Sequence, residues 1–164
     1  MKITRILLFA LAALTLGACH DKDDKDGRDL PSNSDSYFSF GSYYGMCQGE
    51  DCVEFFLVRN GKLYEDKKDQ YPKNGTQHEG DYEALSAEKY QMVKDLASKI
   101  PLELLSESST TLGCPDCADG GGIYIEINSA EVKRFWYIDN SKRETPEYLH
   151  DFIDEVNEKI KALR

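Results

Sequence analysis

Apolar and polar residues alternate in two parts of the chain, and each part doubles back at a turn signal. The first part runs from Val53 to Arg59, which is rich in β-branched and aromatic residues, and returns through Lys62-Leu63-Tyr64. Asn60-Gly61 lies between the two runs and supplies the positive φ angles that a type I′ turn needs. The pattern therefore predicts a β-hairpin.

The second alternating part doubles back in the same way. Residues 123–127 alternate, Asn128-Ser129 supplies a turn, and residues 132–138 return. Upstream of both hairpins, residues 37–44 are aromatic and partly alternating, which is typical of a strand. The sequence therefore predicts two hairpins and a separate N-terminal strand.

Two further segments carry apolar residues at helical spacing. Ser86 is the predicted N-cap of the first helix, and Pro101 ends it. The apolar face of this helix consists of Tyr90, Val93, Leu96, Ala97 and Ile100. Thr145 is the predicted N-cap of the second helix, with Pro146 at the first helical position. Its apolar stripe consists of Leu149, Phe152, Ile153, Val156, Ile160 and Leu163.

These elements follow one another as strand, hairpin, helix, hairpin and helix. Amphipathic helices and half-buried strands must bury their apolar surfaces against each other, and two helices on one face of a sheet achieve this. The sequence therefore predicts a single α+β domain over residues 37–164. It would consist of an antiparallel sheet of two hairpins plus the N-terminal strand, with two helices packed on one face.

The segment before this domain has the features of an export signal. A basic start is followed by an apolar stretch too short to span a bilayer, and then by small residues. Leu16-Gly17-Ala18-Cys19 resembles the lipobox of bacterial lipoproteins. The resemblance implies that residues 1–18 are a signal peptide and that Cys19 becomes an acylated N-terminus, anchored in the outer membrane. The alternative is an ordinary signal peptide that contains a cysteine.

Residues 19–36 are predicted to be the lipidated cysteine and a disordered acidic tether. Between positions 20 and 36 there is no aromatic residue, and Leu30 is the only large apolar one. A coil of this length spans roughly 20–25 Å. The run from His20 to Asp24 resembles the export signal of Bacteroidota surface lipoproteins, which implies display on the cell surface. A plain linker is the alternative, and it leaves open which face of the outer membrane the protein occupies.

The charge balance argues against nucleic acid as a partner. The chain carries 30 acidic and 20 basic side chains, a formal net charge of −10. Loss of Lys2 and Arg5 with the signal peptide would leave 18 basic against 30 acidic side chains, a charge of −12. Nucleic-acid binding draws its affinity largely from Lys and Arg. Attachment to the membrane is therefore expected through the lipid on Cys19, not through charge.

Four cysteines follow Cys19 in the sequence, namely Cys47, Cys52, Cys114 and Cys117. An even number in an exported chain favours disulfides over free thiols. Local pairing, which joins Cys47 to Cys52 and Cys114 to Cys117, is the favoured hypothesis. Pairing between the two loops is the alternative.

Cys114-Pro115-Asp116-Cys117 also has the C-P-x-C form of thioredoxin-like oxidoreductases. A thiol–disulfide enzyme that uses Cys114 and Cys117 is therefore the rival hypothesis. Its context is unfavourable, because the glycine-rich residues 118–122 cannot start a stable helix, and Asp116 and Asp119 would raise a thiol pKa. The four cysteines also resemble a zinc-ribbon ligand set, but zinc needs reduced thiolates and an exported chain meets oxidising conditions.

No other motif in the sequence predicts chemistry. His78 lies in a polar loop and His150 in the last helix, and neither accompanies a recognisable nucleophile. Serine has no nucleophile-elbow setting, and no glycine-rich loop of the phosphate-binding type is present. The sequence therefore predicts no catalytic residue, no metal and no cofactor.

Aromatic residues are the remaining candidates for binding. Because strand side chains alternate, Trp136 is expected to face opposite Phe135 and Tyr137. One aromatic set would then lie on the open side of the sheet. Tyr43, Tyr44 and Trp136 are the residues proposed for an exposed surface that binds a protein or glycan. The alternative is that loops or another chain cover this side.

Gly45-Met46-Cys47 forms a G-x-C motif early in the domain, as in small Bacteroidota lipoproteins that the chain resembles. That resemblance implies no established activity. The sequence as a whole favours a non-enzymatic binding or accessory module with an unidentified ligand. Besides the oxidoreductase, a small protease-inhibitor or immunity-like protein is an alternative, since such inhibitors have a similar hairpin–helix–hairpin–helix order.

Overall fold

A computed structural model describes residues 35–73 and 75–164, apart from the side chain of Glu50. The predicted signal peptide, the lipidation site at Cys19 and all but the last two residues of the predicted tether lie outside the described residues. Within them, the elements form an α+β fold, as the sequence predicts.

A seven-stranded sheet forms the centre of the domain. Its strands are β1 (Tyr37–Tyr43), β2 (Val53–Arg59), β3 (Lys62–Asp66), β4 (Tyr82–Ala84), β5 (Thr111–Leu112), β6 (Gly122–Asn128) and β7 (Lys133–Asp139). Their order across the sheet is β4-β3-β2-β1-β6-β7-β5. All neighbours are antiparallel except β5 and β7, which are parallel. The N-terminal strand thus lies at the centre of the sheet, between the two hairpins.

Both predicted hairpins are confirmed. Strands β2 and β3 pair with Arg59 opposite Lys62, and the turn between them has Asn60 at φ 53° and Gly61 at φ 68°. Two positive φ angles are the signature of a type I′ turn. Strands β6 and β7 pair from Gly122–Asp139 to Asn128–Lys133. The short edge strands β4 and β5 are additions that the sequence pattern did not reveal, because segments of three and two residues carry no periodic signal.

The helices pack on one face of the sheet, which we call the helical face. They are α1 (Ala87–Val93), α2 (Leu102–Ser106) and α3 (His150–Leu163). The stripe of α3 is buried against apolar side chains from four central strands. Those strand residues include Phe38, Phe40, Phe56, Ile123, Ile125, Ile127, Trp136 and Ile138. Most of the hydrophobic core lies in this layer.

Two details of the predicted helices differ from the structure. The first predicted helix is interrupted: α1 ends at Val93, and a 3₁₀ helix spans Leu96–Lys99. Ser86 does cap α1, since its side chain accepts a hydrogen bond from Lys89 N at 3.3 Å. The predicted cap at Thr145 is wrong, because the Thr145 hydroxyl donates to Ser141 O and a 3₁₀ helix spanning Glu147–Leu149 precedes α3.

Candidate functional site

The sheet face opposite the helices carries a second, aromatic cluster. Tyr43, Phe55, Tyr124 and Tyr137 are each completely buried there, with Phe135 packed at their margin. The cover comes from residues 67–73 and 75–81, the described parts of the connection between β3 and β4. They have no regular structure, and we call them the strap. The open side of the sheet is therefore closed by a loop of the same chain, which was the alternative to an exposed aromatic surface.

A glycine in β1 makes room for this arrangement. A Cβ atom at Gly41 would lie 2.3 Å from Glu54 O and 2.6 Å from Phe55 Cδ1, both closer than real contacts allow. The Phe55 ring therefore lies over the backbone of the central strand. The His78 ring from the strap stacks on Phe55, with centroids 4.1 Å apart and planes at 13°.

His78 is also held by a carboxylate from β3. Its Nε2 lies 2.8 Å from Asp66 Oδ2, and the two side chains are 5% and 0% exposed. The other oxygen, Oδ1 of Asp66, accepts hydrogen bonds from Lys68 N and Asp81 N, near the two ends of the strap. A His–Asp pair is common in catalytic sites. Here the hydrogen bonds of the carboxylate hold the strap to β3, and both side chains are almost completely buried.

A buried glutamate forms the second attachment of the strap. Glu126 on β6 is 4% exposed, and Tyr37 donates to its Oε1 at 2.5 Å while Tyr124 donates to its Oε2 at 2.7 Å. Gln77 in the strap donates to Oε1 as well. Burial raises the pKa of the Tyr124 phenol, and the charge of Glu126 raises it further. The strap thus closes over a hydrogen-bonded polar network on the aromatic face.

Alkaline titration tests this burial of phenols. Burial raises the pKa of Tyr137 to about 12, and partial burial together with a hydrogen bond to Asp116 raises that of the half-exposed Tyr71 to about 12, against about 10 for a free tyrosine. The folded protein holds these protons more tightly than the unfolded chain does. The two phenols therefore stabilise the fold below a pH of about 10, and this stabilisation is lost as the pH rises towards 12. Tyrosinate absorbance is therefore expected to rise late, together with the loss of circular dichroism. If all tyrosines ionised near their ordinary pKa while the protein stayed folded, the burial of these phenols would be contradicted.

The proposed aromatic binding surface does not exist as an exposed patch. Tyr43 and Trp136 are both 0% exposed, and they lie on opposite faces of the sheet. Tyr44 follows the end of β1 and is half-buried. The separation of Trp136 from Phe135 and Tyr137 agrees with the expected alternation, but the loop that covers the second face could not be read from strand periodicity.

All four described cysteines lie at one end of the sheet, which we call the disulfide end. Cys47 and Cys52 form one disulfide with Cα atoms 5.5 Å apart, and Cys114 and Cys117 form the other at 5.4 Å. The favoured local pairing is therefore confirmed. The first disulfide closes the connection between β1 and β2, and the second lies just before β6.

Asp116 joins the two disulfide loops. Its Oδ2 accepts hydrogen bonds from Gly45 N at 2.8 Å and from the Tyr71 hydroxyl at 2.6 Å. Its Oδ1 accepts a third bond from Gly121 N at 3.0 Å. One carboxylate therefore connects the loop 44–52, the strap and the loop 113–121. The sequence offered no signal for this role beyond the position of Asp116 within the C-P-x-C motif.

The disulfide end also carries exposed apolar side chains. Met46 is 80% exposed and Tyr71 is 45% exposed. A shallow pocket of about 370 Å³ lies beside them, lined by Tyr44, Tyr71, Asp69 and the Cys47–Cys52 disulfide. An open pocket with a tyrosine on either side suits a contact with another molecule better than it suits the enclosure of a substrate.

The chemistry that cysteines could provide is limited by their surroundings. After Cys114 the chain forms a single irregular turn with left-handed residues, so the thiols do not lie at the start of an α-helix as in thioredoxin-like enzymes. In their disulfide form the four cysteines cannot ligate zinc as thiolates. Among residues 35–73 and 75–164, no group of three or more His, Cys, Asp or Glu side chains has the geometry of a metal site.

None of the helices within the described residues has the length and apolar content needed to cross a bilayer. Comparisons of the chain with protein families, with curated proteins and with solved structures found no match.

Proposed function

We propose that the protein is a lipid-anchored, non-enzymatic binding module of the bacterial outer membrane, which contacts its partner through the disulfide end. The observation that carries the proposal is the exposure of Met46 and Tyr71 on loops that disulfides and Asp116 hold in place. Elsewhere in the described chain, both faces of the sheet are covered. Rigid loops with exposed apolar residues bind well because little conformational freedom is lost on association.

The direction of β1 supports a contact surface at the end of the sheet opposite the proposed anchor. The chain reaches the domain at Tyr37, opposite Arg59 and Asn128 at one end of the sheet, and Tyr43 lies at the other end beside the loop 44–52. Seven strand residues separate the two ends by about 20 Å. A partner approaching from outside can therefore reach the disulfide end without meeting the attachment of the tether.

The charge of this end indicates the chemistry of the partner. The loops at the disulfide end carry the acidic residues Asp51, Asp69 and Asp119, and Asp69 lines the pocket with Tyr71. Exposed apolar residues among carboxylates match a protein surface that has an apolar centre and a basic rim. We therefore favour a protein partner over a glycan.

Replacement of Cys19 by alanine tests the anchor. The variant is expected to lack acyl chains and to leave the membrane fraction, because the lipobox resemblance makes Cys19 the acylated residue. Fractionation of the cell envelope and mass spectrometry of the N-terminal peptide measure both outcomes. Wild-type protein that is soluble and unacylated would refute the anchor without affecting the proposed binding surface.

A photo-crosslinking amino acid at position 46 tests the binding surface in the native envelope. A specific adduct is expected from this position and not from position 102, where Leu102 is 60% exposed at α2 but lies outside the disulfide end. The adduct should weaken as salt is added, because a basic rim would be screened. Equal labelling from both positions, or none from position 46, would exclude the disulfide end as the contact surface.

A further inference from the structure

The two disulfides differ in how far their sulfur atoms are accessible to a reductant. Cys114 and Cys117 are both exposed, whereas in the other disulfide Cys47 is exposed and Cys52 is only 8% exposed. Thiol–disulfide exchange needs direct approach of a thiolate to one sulfur atom. A thiolate can therefore attack at either cysteine of Cys114–Cys117 but only at Cys47 in the other disulfide, and we expect Cys114–Cys117 to open first.

The backbone within and directly after this pair of cysteines adopts conformations that side chains disfavour. Asp116, Ala118 and Asp119 have φ angles of 60°, 53° and 60°, in the left-handed region. Residues other than glycine visit this region rarely, and alanine has no side-chain hydrogen bond to compensate. A four-residue covalent ring helps to hold this turn, so opening the ring allows the turn to relax.

Relaxation of the turn has consequences beyond it, because Asp116 lies inside the ring. Its carboxylate accepts the hydrogen bonds from Gly45 N, Tyr71 Oη and Gly121 N. If the backbone of Asp116 leaves the left-handed region, its side chain no longer points at these donors. Both the loop 44–52 and the start of the strap then lose their connection to the loop 113–121.

We propose that Cys114–Cys117 is a redox-sensitive latch, which in its closed form fixes the disulfide end through Asp116. A dithiol reductant opens it: one thiolate attacks a sulfur of the pair, a mixed disulfide forms, and the other cysteine leaves as a thiolate that takes up a proton. The second thiol of the reductant then releases the remaining cysteine. Two electrons and two protons pass to the protein, and the reductant becomes a disulfide.

The latch is a property of the fold and does not depend on the anchor or on any partner. Graded reduction of the purified chain with dithiothreitol, followed by alkylation and peptide mapping, is expected to label Cys114 and Cys117 before Cys47 and Cys52. In the selectively reduced protein, the amide NMR signals of Gly45 and Gly121 should shift, and the Tyr71 phenol should ionise below its present pKa of about 12. The fluorescence of Trp136 should not change, because the helical face stays packed.

Two variants separate the latch from a general loss of structure. Asp116→Ala, with both disulfides intact, is expected to reproduce the Gly45 shift without reduction. The double variant Cys47→Ser with Cys52→Ser should leave the bond between Asp116 and Gly121 in place. The proposal is overturned if Cys47–Cys52 is reduced first, if selective reduction leaves the Gly45 and Gly121 signals unchanged, or if it unfolds the helical face.

Discussion

Replacement of Trp136 by alanine is expected to lower the free energy of unfolding by about 3–5 kcal/mol. Trp136 lies on β7 with no exposed surface, in the apolar layer between the sheet and the helices. The guanidinium of Arg134 lies 5.1 Å from its ring centroid. Removing the ring therefore leaves a cavity in the main core and an arginine without its aromatic partner. Since a domain has only about 5–15 kcal/mol of stability, this is a large fraction of the total.

Urea unfolding followed by far-ultraviolet circular dichroism measures this loss. Tryptophan fluorescence cannot be used, because Trp136 is the only tryptophan and the substitution removes it. Trp136→Phe is the matched variant: its cost should be much smaller, since the indole Nε1 has no hydrogen-bond partner among the described residues. Met46→Ala, at an exposed site, should change stability by no more than about 0.5 kcal/mol. Equal losses of stability for Trp136→Ala and Met46→Ala would contradict the burial of Trp136 in the core.

Replacement of Asp66 by alanine is expected to cost about 3 kcal/mol and to release the strap. The carboxylate holds His78 through Oδ2 and two backbone amides through Oδ1, so the variant leaves three donors without their acceptor. The cover of the aromatic face would then be held mainly by the network at Glu126. Trypsin is expected to cut after Lys73 in the strap much faster in this variant than in the wild type.

Glu79→Ala is the control for the strap, because Glu79 is an exposed acidic residue of the same segment. It removes a similar charge and should leave both stability and the cleavage rate after Lys73 unchanged within error. If Asp66→Ala is cleaved no faster than Glu79→Ala, the pair with His78 does not hold the strap. A stability loss without faster cleavage would place the effect of Asp66 elsewhere in the fold.

Local sequence determined the two hairpins and the C-terminal helix of this fold. Asn60-Gly61 was sufficient for the first hairpin, because its positive φ angles favour a type I′ turn whatever surrounds it. The apolar stripe of α3 likewise predicted a buried helix face from spacing alone. The local pairing of the cysteines, which the sequence favoured without excluding the alternative, joins residues five and three positions apart. In each case the interaction connects residues close in sequence.

Tertiary structure decided which surfaces of the molecule are exposed to solvent. The sequence placed aromatic residues on a second face of the sheet, but an irregular strap covers them. Its attachments join residues far apart in sequence, as from Gln77 to Glu126. Asp116 joins Gly45 across 71 positions in the same way. No periodicity or spacing encodes such contacts, because they depend on how the connected elements pack, and they moved the candidate binding surface from the sheet face to the disulfide end.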